Sequence, residues 1–416
     1  MSFYKSVYPD ITKNSLVNLM SSILSHYGAR YSYPSLDRRF FKNIDGCEKL
    51  VFFCIDSLGL NIWNEYAIKY SLFKILQKNM HENSITSVFP STTSAALTTM
   101  HTGVAPREHG IFEWNMYFKE LNAVINPLPY RTVSPIYDSQ MLPTINNDSG
   151  ILINVPTIYE KLLKKSVKSY ILYPKQLANG VYNNEAFKGA EPIWYISLSD
   201  LLLELKERLE SCKGKAYFFI YWPFLDTIEH HYSPFTRQTD VHLKMLNDLI
   251  QEVLIKDING KSAKNTGFIL TSDHGQVECD PEETIYLNQI KNINKHFEKT
   301  SLGKPILPSG NVRDVFLHVK DKSLSRANYE IVKFLKNKAD ILILDDKIIN
   351  KFFGNGKTHP SFFDRLGNLL VLPKANKLVW YKYTPDKHFV HKGAHGGFTE
   401  EEMMIPLLVN RLSALR

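Results

Sequence analysis

Features that mark several common protein classes are scarce or missing in this chain of 416 residues. It has four cysteines and no CxxC pair, which favours a reducing compartment over a disulfide framework. No apolar run approaches the length of a transmembrane helix. The N-terminal residues lack a basic segment followed by an apolar one, so no signal peptide is expected. We therefore expect a cytoplasmic protein without a membrane span.

Charge is not concentrated in any one segment. The formal net charge is +8, and a basic balance favours anionic partners such as small phosphate esters. The lysines are scattered, and there is neither an arginine-rich tail nor a zinc-finger spacing. These patterns favour a solvated basic surface over a nucleic-acid-binding groove.

The apolar pattern alternates between strand-like and helix-like segments. Leu50–Ile55, Ala216–Trp222 and Gly267–Leu270 are short continuous apolar runs, which are typical of buried parallel strands. Further strands are predicted at Ile85–Phe89 and Val167–Leu172, and helices at Asn61–Lys78, Ser94–Thr102, Ile158–Lys165, Leu198–Leu209 and Val241–Ile255. This alternation predicts an α/β fold with a doubly wound, mainly parallel sheet sandwiched by helices.

Residues 280–385 have a different character. They contain a helix-like stretch, an apolar run and two segments that resemble a hairpin, at Leu324–Lys336, Ile341–Leu344, Asn368–Leu372 and Leu378–Tyr383. We predict that 280–385 is a small α+β lobe inserted into the main core, which then comprises 1–279 and 386–416.

Five short motifs end or follow apolar runs and carry potential metal ligands. They are Asp56 in FFCIDSLG, Thr93 in FPSTTSAAL, Asp226 and His230 in FLDTIEHH, Asp273 and His274 in TSDHGQ, and His395 in GAHGG. Strands of a parallel sheet end at one edge, where ligands bind, so the fold is expected to gather these side chains there.

The ligand types indicate the metal. Three aspartates, three histidines and one threonine hydroxyl can form two sites of roughly four-coordinate geometry, which Zn²⁺ accepts. Carboxylate–imidazole mixtures suit Zn²⁺ and Mn²⁺ better than Ca²⁺ or copper. Each motif alone is weak evidence, because an aspartate after a strand is more often a loop cap than a ligand. Their conjunction predicts a site for two divalent ions, zinc or else manganese, of the kind that transfers phosphoryl groups.

The motifs also resemble those of a known family. Phe89-Pro90-Ser91-Thr92-Thr93, Pro106-Arg107-Glu108-His109-Gly110-Ile111, the Asp-xxx-His and Asp-His-Gly pairs and the final His-Gly are similar to the alkaline phosphatase superfamily, and within it to the type I phosphodiesterase/nucleotide pyrophosphatase family. The resemblance implies an alkaline phosphatase-like fold. It also implies one metal held by Asp56, Thr93, Asp273 and His274, and a second held by Asp226, His230 and His395.

The chain departs from the family pattern beside the nucleophile. Many members place a phosphate-contacting Asn where this chain has Trp114, and Asn follows one residue later at Asn115. Either Asn115 or backbone N–H groups are therefore expected to hold the phosphate oxygen. Trp114 is expected either at the mouth of the site, against the ester group, or in the core below the nucleophile loop.

The resemblance implies a hydrolase that cleaves phosphodiester or pyrophosphate bonds of nucleotide-type small molecules. Thr93 would attack phosphorus as the nucleophile and form a phospho-threonine intermediate. Two alternatives use the same residues, namely a phosphonoacetate hydrolase and a phosphomonoesterase. A third, a non-catalytic protein that binds phosphorylated ligands, is disfavoured by the complete ligand set.

Overall fold

A computed structural model describes residues 6–66, 69–78, 84–134, 136, 142, 151–178 and 180–416. The strands are β1 (Lys49–Ile55), β2 (Ser84–Thr86), β3 (Met116–Phe118), β4 (Ala123–Asn126), β5 (Arg131–Thr132), β6 (Lys168–Pro174), β7 (Glu191–Tyr195), β8 (Ala216–Trp222), β9 (Thr266–Thr271), β10 (Val277–Glu278), β11 (Ile285–Tyr286), β12 (Ser309–Asn311), β13 (Asp314–Leu317), β14 (Ala339–Ile343), β15 (Leu369–Pro373), β16 (Val379–Trp380), β17 (Gly393–Ala394) and β18 (Met404–Arg411).

The helices connect and cover these strands. They are α1 (Leu16–His26), α2 (Leu60–Tyr66), α3 (Ser71–Lys78), α4 (Thr93–Thr102), α5 (Pro106–His109), α6 (Ile158–Leu163), α7 (Val181–Ala186), α8 (Leu198–Ser211), α9 (Phe224–Tyr232), α10 (Arg237–Leu249), α11 (Gly260–Lys264), α12 (Leu324–Leu335), α13 (Asp346–Phe353), α14 (Phe362–Leu366) and α15 (Glu400–Met403). A π-helical turn, Ile250–Lys256, extends α10. Within the described residues, no helix is long and apolar enough to cross a membrane.

The main sheet has seven strands in the order β2-β18-β9-β1-β8-β6-β7. Strands β9, β1, β8, β6 and β7 run parallel, whereas β18 is antiparallel to β9 and to β2. The predicted doubly wound, mainly parallel sheet is therefore confirmed. The predicted strand Ile85–Phe89 is shorter than expected, and it pairs with β18 at one edge of the sheet.

Both faces of this sheet are buried, which explains the continuous apolar runs. In β1, Phe52 packs into a core that also contains residues of α1, α4 and α6. Its neighbour Phe53 points to the opposite face, into a second core with residues of α2, α8 and α10. Each residue of the strand therefore has an apolar neighbourhood, whichever way its side chain points.

A second, antiparallel sheet lies inside the range predicted for the added lobe. Its strand order is β12-β13-β15-β14, and its apolar residues share a core with the first face of the main sheet. The Phe112 and Phe316 rings are 5.6 Å apart, and the Phe89 and Phe353 rings are 5.4 Å apart, centroid to centroid. The first contact places the second sheet, and the second places α13, against the chain segments on either side of Thr93.

The hairpin predicted within this lobe is wrong. Strand β15 pairs with β13 on one side and with β14 on the other, so neither edge is free to accept the segment that follows. The chain does turn after β15, where Lys377 N donates to Lys374 O over 2.9 Å. Strand β16 then leaves the sheet and pairs in parallel with β11.

Candidate metal centre

Thr93 lies at the end of the loop that enters α4. It is the first residue of the helix and is buried, and its Oγ1 atom is 3.1 Å from His274 Nε2. The preceding residue, Thr92, occupies the N-cap position, yet its side chain makes no cap hydrogen bond. The Thr92 hydroxyl is fully buried and has no partner among the described residues. Amide groups of the first helical turn therefore remain without a capping side chain near Thr93.

The first group of candidate ligands follows two adjacent parallel strands. Asp56 comes directly after β1, and Asp273 and His274 follow β9. His274 Nε2 is 3.5 Å from Asp56 Oδ1 and 3.4 Å from Asp273 Oδ2. Those two carboxylate oxygens are buried and have no hydrogen-bond partner among the described residues. Converging orphaned oxygens beside an imidazole fit the donor set of a divalent cation.

Electrostatics support this assignment. Burial, and then the charges of Asp273 and Asp226, raise the pKa of Asp56 well above its usual range. Tyr221 donates its hydroxyl hydrogen to Asp56 Oδ2, which satisfies one oxygen and leaves the other facing Asp273. Like charges held this closely need a compensating cation to stay ionised.

The second group combines one helix with the last motif. Asp226 and His230 lie one turn apart on α9, and His230 Nε2 is 3.3 Å from Asp226 Oδ1. His395 Nε2 lies 3.8 Å from the same oxygen. Burial and the neighbouring imidazoles of His274 and His230 lower the pKa of His395 well below its usual range. A neutral imidazole of this kind is the form that binds metal.

Neighbouring groups orient these ligands through their outer atoms. His230 Nδ1 is 2.8 Å from Gly393 O, and His395 Nδ1 is 3.0 Å from Ser91 O. Gln276 donates from Nε2 to Asp226 Oδ1 over 2.5 Å. Such contacts fix the tautomer and the ring orientation of metal-binding residues. Sequence reasoning missed Gln276, although it stands two residues after His274 in the same motif.

Two glycines beside His395 are required by close packing. A Cβ atom on Gly393 would lie 2.2 Å from Gln276 Oε1 and 2.7 Å from Glu229 O. Gly396 has a φ of +126°, which side-chain-bearing residues rarely adopt, and a Cβ atom there would meet Asp314 Oδ1 at 2.7 Å. The GAHGG motif therefore allows His395 to approach α9 and Ser91 closely.

The grouping of ligand atoms assigns a central position to His274. Its ligand atoms lie close to those of Asp56 and Asp273, and equally to those of Asp226 and His395. The His274 and His395 rings stack with centroids 3.8 Å apart. The structure thus brings together all seven residues singled out as metal ligands, with His274 between the two groups rather than in the first alone.

Two cavities open beside Thr93, and both are lined by Thr93, Trp114 and Asp226. The first, of about 410 Å³, also reaches Asp56 and Tyr221, and we call it the Tyr221 cavity. The second, of about 360 Å³, also reaches His230 and His395, and we call it the His395 cavity. Trp114 is half-buried and lines both cavities. That it lies at the mouth of the site against the ester group stays a prediction.

Asn115 does not reach either cavity. Its Nδ2 donates to Gly310 O over 2.6 Å, and its Oδ1 accepts from Asn126 Nδ2 over 2.8 Å. The side chain thus connects β4 to β12 and is not among the described residues that line either cavity, so these contacts do not support the expectation that it holds a phosphate oxygen. A shift of one residue turns the side chain to the other side of the backbone, so Trp114 takes the position at the site.

Comparisons with known proteins identify the family and the fold. Residues 50–398 match the model of the family "Type I phosphodiesterase / nucleotide pyrophosphatase". No curated protein matches the chain in sequence. A structure of murine ectonucleotide pyrophosphatase/phosphodiesterase 5, an inactive variant in complex with AMP, superimposes with a TM-score of 0.63 at 16% identity and covers 87% of each chain.

Two further solved structures share the fold. The human ectonucleotide pyrophosphatase/phosphodiesterase 5 gives a TM-score of 0.58 at 17% identity, again over 87% of each chain. Phosphonoacetate hydrolase from Sinorhizobium meliloti 1021, in complex with phosphonoformate, gives 0.60 at 15% identity and covers 89% of this chain and 95% of that one. The chain therefore belongs to the type I phosphodiesterase/nucleotide pyrophosphatase family.

Proposed function

We propose that this protein hydrolyses a small phosphodiester through nucleophilic attack by Thr93. The observation that carries the proposal is the position of the Thr93 hydroxyl. It lies at the start of α4, 3.1 Å from Nε2 of His274, the residue that both ligand groupings share, and Thr93 lines two cavities. A nucleophile, a phosphate-binding helix terminus and space for two ester groups meet at one point.

Two divalent ions are part of the proposal. Asp56, Asp273, His274 and Thr93 would hold one, and Asp226, His230 and His395 the other, with zinc as the first candidate and manganese as the second. When bound, such ions supply positive charge that lowers the pKa of a neighbouring hydroxyl and stabilises charge on phosphate oxygens. The orphaned Asp56 Oδ1 and Asp273 Oδ2 support this occupancy.

The protein itself offers donors for the phosphate. Amide groups at the start of α4 carry partial positive charge and face the region of Thr93. Thr92 is among the residues that line the His395 cavity, and its buried hydroxyl has no partner among the described residues. We infer that Thr92 and the helix terminus hold the non-bridging oxygen, so that of the two expectations, Asn115 or backbone N–H groups, the proposal takes the second.

The proposed hydrolysis has two steps, and in each step one bond to phosphorus forms and one breaks. Thr93 Oγ1 loses its proton, forms a bond to phosphorus and expels one ester oxygen, which leaves as an alcohol after taking a proton. Water then attacks phosphorus on the side opposite Thr93 Oγ1. The Oγ1–phosphorus bond breaks, and Thr93 regains a proton. The products are a phosphate monoester and an alcohol.

The cavity walls favour a diester over the alternatives. No lysine or arginine is found among the described residues that line either cavity. A pyrophosphate or the carboxylate of phosphonoacetate would enter these cavities without a cationic side chain beside it. Two uncharged ester groups need no such partner, so each cavity suits one group of a diester.

A substrate panel tests the proposal. The metal-loaded protein is assayed on bis(4-nitrophenyl) phosphate, 4-nitrophenyl phosphate, phosphonoacetate and a dinucleoside pyrophosphate. We expect kcat/KM to be highest on the diester, by about 100-fold or more over the monoester. Highest activity on phosphonoacetate or on the monoester would replace the proposal with that reaction. If the protein turned over none of these compounds but bound them, it would be a phospho-ligand-binding member of the family.

A further inference from the structure

The His395 cavity has walls that the five motifs do not supply. Its lining includes Val312, Trp380 and Phe389, which come from the turn after β12, from β16 and from the segment before β17. Trp380 and Phe389 are half-buried. The same cavity is lined by Trp114, Thr93 and the second ligand group.

These walls are held in place by contacts outside the cavity. Val379 N donates to Val312 O over 3.0 Å, which ties β16 to the turn after β12. The Trp380 ring meets the Tyr383 ring edge-on at 5.3 Å. Phe389 N donates to the Tyr286 hydroxyl oxygen over 2.9 Å. The aromatic faces are therefore positioned before any ligand arrives.

The geometry of attack assigns a role to this cavity. The proposed function gives Thr93 the same ion as Asp56, Asp273 and His274, and Thr93 Oγ1 lies 3.1 Å from His274 Nε2. In-line displacement places the departing oxygen on the side of phosphorus opposite the attacking hydroxyl. In that assignment the departing oxygen would face Asp226, His230 and His395. Both of these histidines line the His395 cavity, and neither is among the described residues that line the Tyr221 cavity.

We propose that the His395 cavity binds the departing alcohol, and that Trp380 and Phe389 select an uncharged alcohol with a planar aromatic group. This inference rests on the proposed diesterase function. Trp114, Trp380 and Phe389 all line this cavity, and aromatic rings in a cavity lining favour stacking on a planar partner. The lining contains no lysine or arginine among the described residues, so a departing group that carries phosphate is disfavoured.

The experiment separates the departing group from the retained group. Three substrates are compared: 4-nitrophenyl methyl phosphate, 2,2,2-trifluoroethyl methyl phosphate and 4-nitrophenyl phenyl phosphate. The first two differ in the departing alcohol, while the first and third differ in the retained group. The variants are Trp380→Ala, Phe389→Ala and the conservative Trp380→Phe, with Leu128→Ala in the Tyr221 cavity as the matched control.

We expect Trp380→Ala and Phe389→Ala to lower kcat/KM about five- to tenfold on both nitrophenyl esters and less than about twofold on the trifluoroethyl ester. Trp380→Phe should restore most of the loss. Leu128→Ala should act chiefly on the substrate with the retained phenyl group. Equal losses on all three substrates, at an unchanged melting temperature, would overturn the assignment, as would losses that follow the retained group.

A binding measurement needs no turnover and distinguishes the two levels of the proposal. Binding of 4-nitrophenol to the metal-loaded protein is followed by saturation-transfer NMR. Loss of the signal in Phe389→Ala but not in Leu128→Ala supports an aromatic subsite, even if the wild-type protein cleaves no diester and the proposed function fails. If 4-nitrophenol bound Phe389→Ala and Trp380→Ala as it binds the wild type, the aromatic subsite would be refuted, even if the protein cleaves the diester.

Discussion

Arg313 and Glu402 form a fully buried, two-pronged ion pair between the second sheet and the segment that follows His395. Arg313 Nε donates to Glu402 Oε1 over 2.9 Å, and Nη2 donates to Oε2 over 3.0 Å. Glu402 also accepts from the backbone N–H groups of Gly397 and Thr399. The pair thus fixes the loop after His395 against the turn that precedes β13.

Removing one partner of this pair should be costly. We expect Arg313→Met to lower the free energy of unfolding by about 3–5 kcal/mol, because it leaves the Glu402 carboxylate buried without its counter-charge. Urea unfolding monitored by circular dichroism measures the loss. The control is Arg208→Met, which breaks a partly exposed pair with Glu204 and should cost less than about 1 kcal/mol. Similar losses in both variants would contradict the role given to the buried pair.

Thr93 provides the most direct test of the chemistry. Thr93→Ala should reduce kcat on a diester by roughly 10³-fold or more, because the nucleophile is lost. Thr93→Ser keeps a hydroxyl and should retain far more activity than Thr93→Ala. Thr92→Val keeps the shape of Thr92 but not its hydroxyl, and it should lower kcat about 10-fold or more. Circular dichroism should show an unchanged fold. Activity of Thr93→Ala above about a hundredth of wild type would exclude nucleophilic catalysis by Thr93.

Metal content should depend on the shared position of His274. We expect two transition-metal ions per chain, zinc first, in protein purified without chelator. His395→Ala should lose one ion, and His274→Ala should lose most of both, because its imidazole lies in both ligand groups. His391→Ala is the control, since it lies outside both groups. Mass-spectrometric metal analysis gives the count, and one ion per chain that survives His395→Ala would disprove the two-metal proposal.

Trp114 should act on binding rather than on folding. It lines both cavities, so Trp114→Ala should raise KM for aromatic diesters about two- to tenfold and change dimethyl phosphate much less. The melting temperature should move little. A large drop in melting temperature together with equal losses on all substrates would return Trp114 to a role in the core.

A buried acid pair should make stability depend on pH. Glu113 and Asp314 face each other in full burial. Burial raises the pKa of Glu113 to about 8, and burial with the charge of Glu113 raises the pKa of Asp314 well above its usual range. The folded state therefore holds more protons than the unfolded state above the usual carboxyl pKa, and stability falls as pH rises from there through about 8.

Asp314→Asn should reduce this dependence. Each proton held only by the folded state contributes about 1.4 kcal/mol per pH unit, so the variant should lose less stability than wild type between pH 6 and pH 9. Urea unfolding at several pH values measures the slope. Asp340→Asn, at an exposed aspartate, is the control and should leave the slope unchanged. If the free energy of unfolding of Asp314→Asn fell with pH as steeply as that of the wild type, the Glu113–Asp314 pair would not be the source of the pH dependence.

The main sheet and the convergence of the seven candidate ligands were predictable because local sequence pattern determined them. The run Ala216–Trp222 is bounded by Lys215 and Pro223, and the strand has those same bounds. Each ligand follows an apolar run, and parallel strands bring such ends together. These are properties of short segments, and no knowledge of distant partners is needed to infer them.

The walls of the His395 cavity and the groups proposed to hold the phosphate could not be predicted in this way. Their positions depend on residues that are distant in the sequence. Trp380 reaches the site only because β15 has both edges occupied and β16 pairs with β11, more than ninety residues earlier. The Asn115 side chain donates a hydrogen bond to Gly310 in the second sheet, which holds it away from the cavities. Trp114 and Asn115 are adjacent in sequence, and only tertiary contacts decide which of them faces the cavities.

The position of β18 has a consequence for how the molecule folds. This strand follows all the others in the chain, yet it lies inside the sheet, between β9 and β2. Until it docks, β9 presents an open edge of unpaired backbone groups, and β2 has no sheet to join. We expect this late, long-range closure to be slow. Intermediates that lack β18 would then be the species that associate with one another, so refolding yield should fall as protein concentration rises.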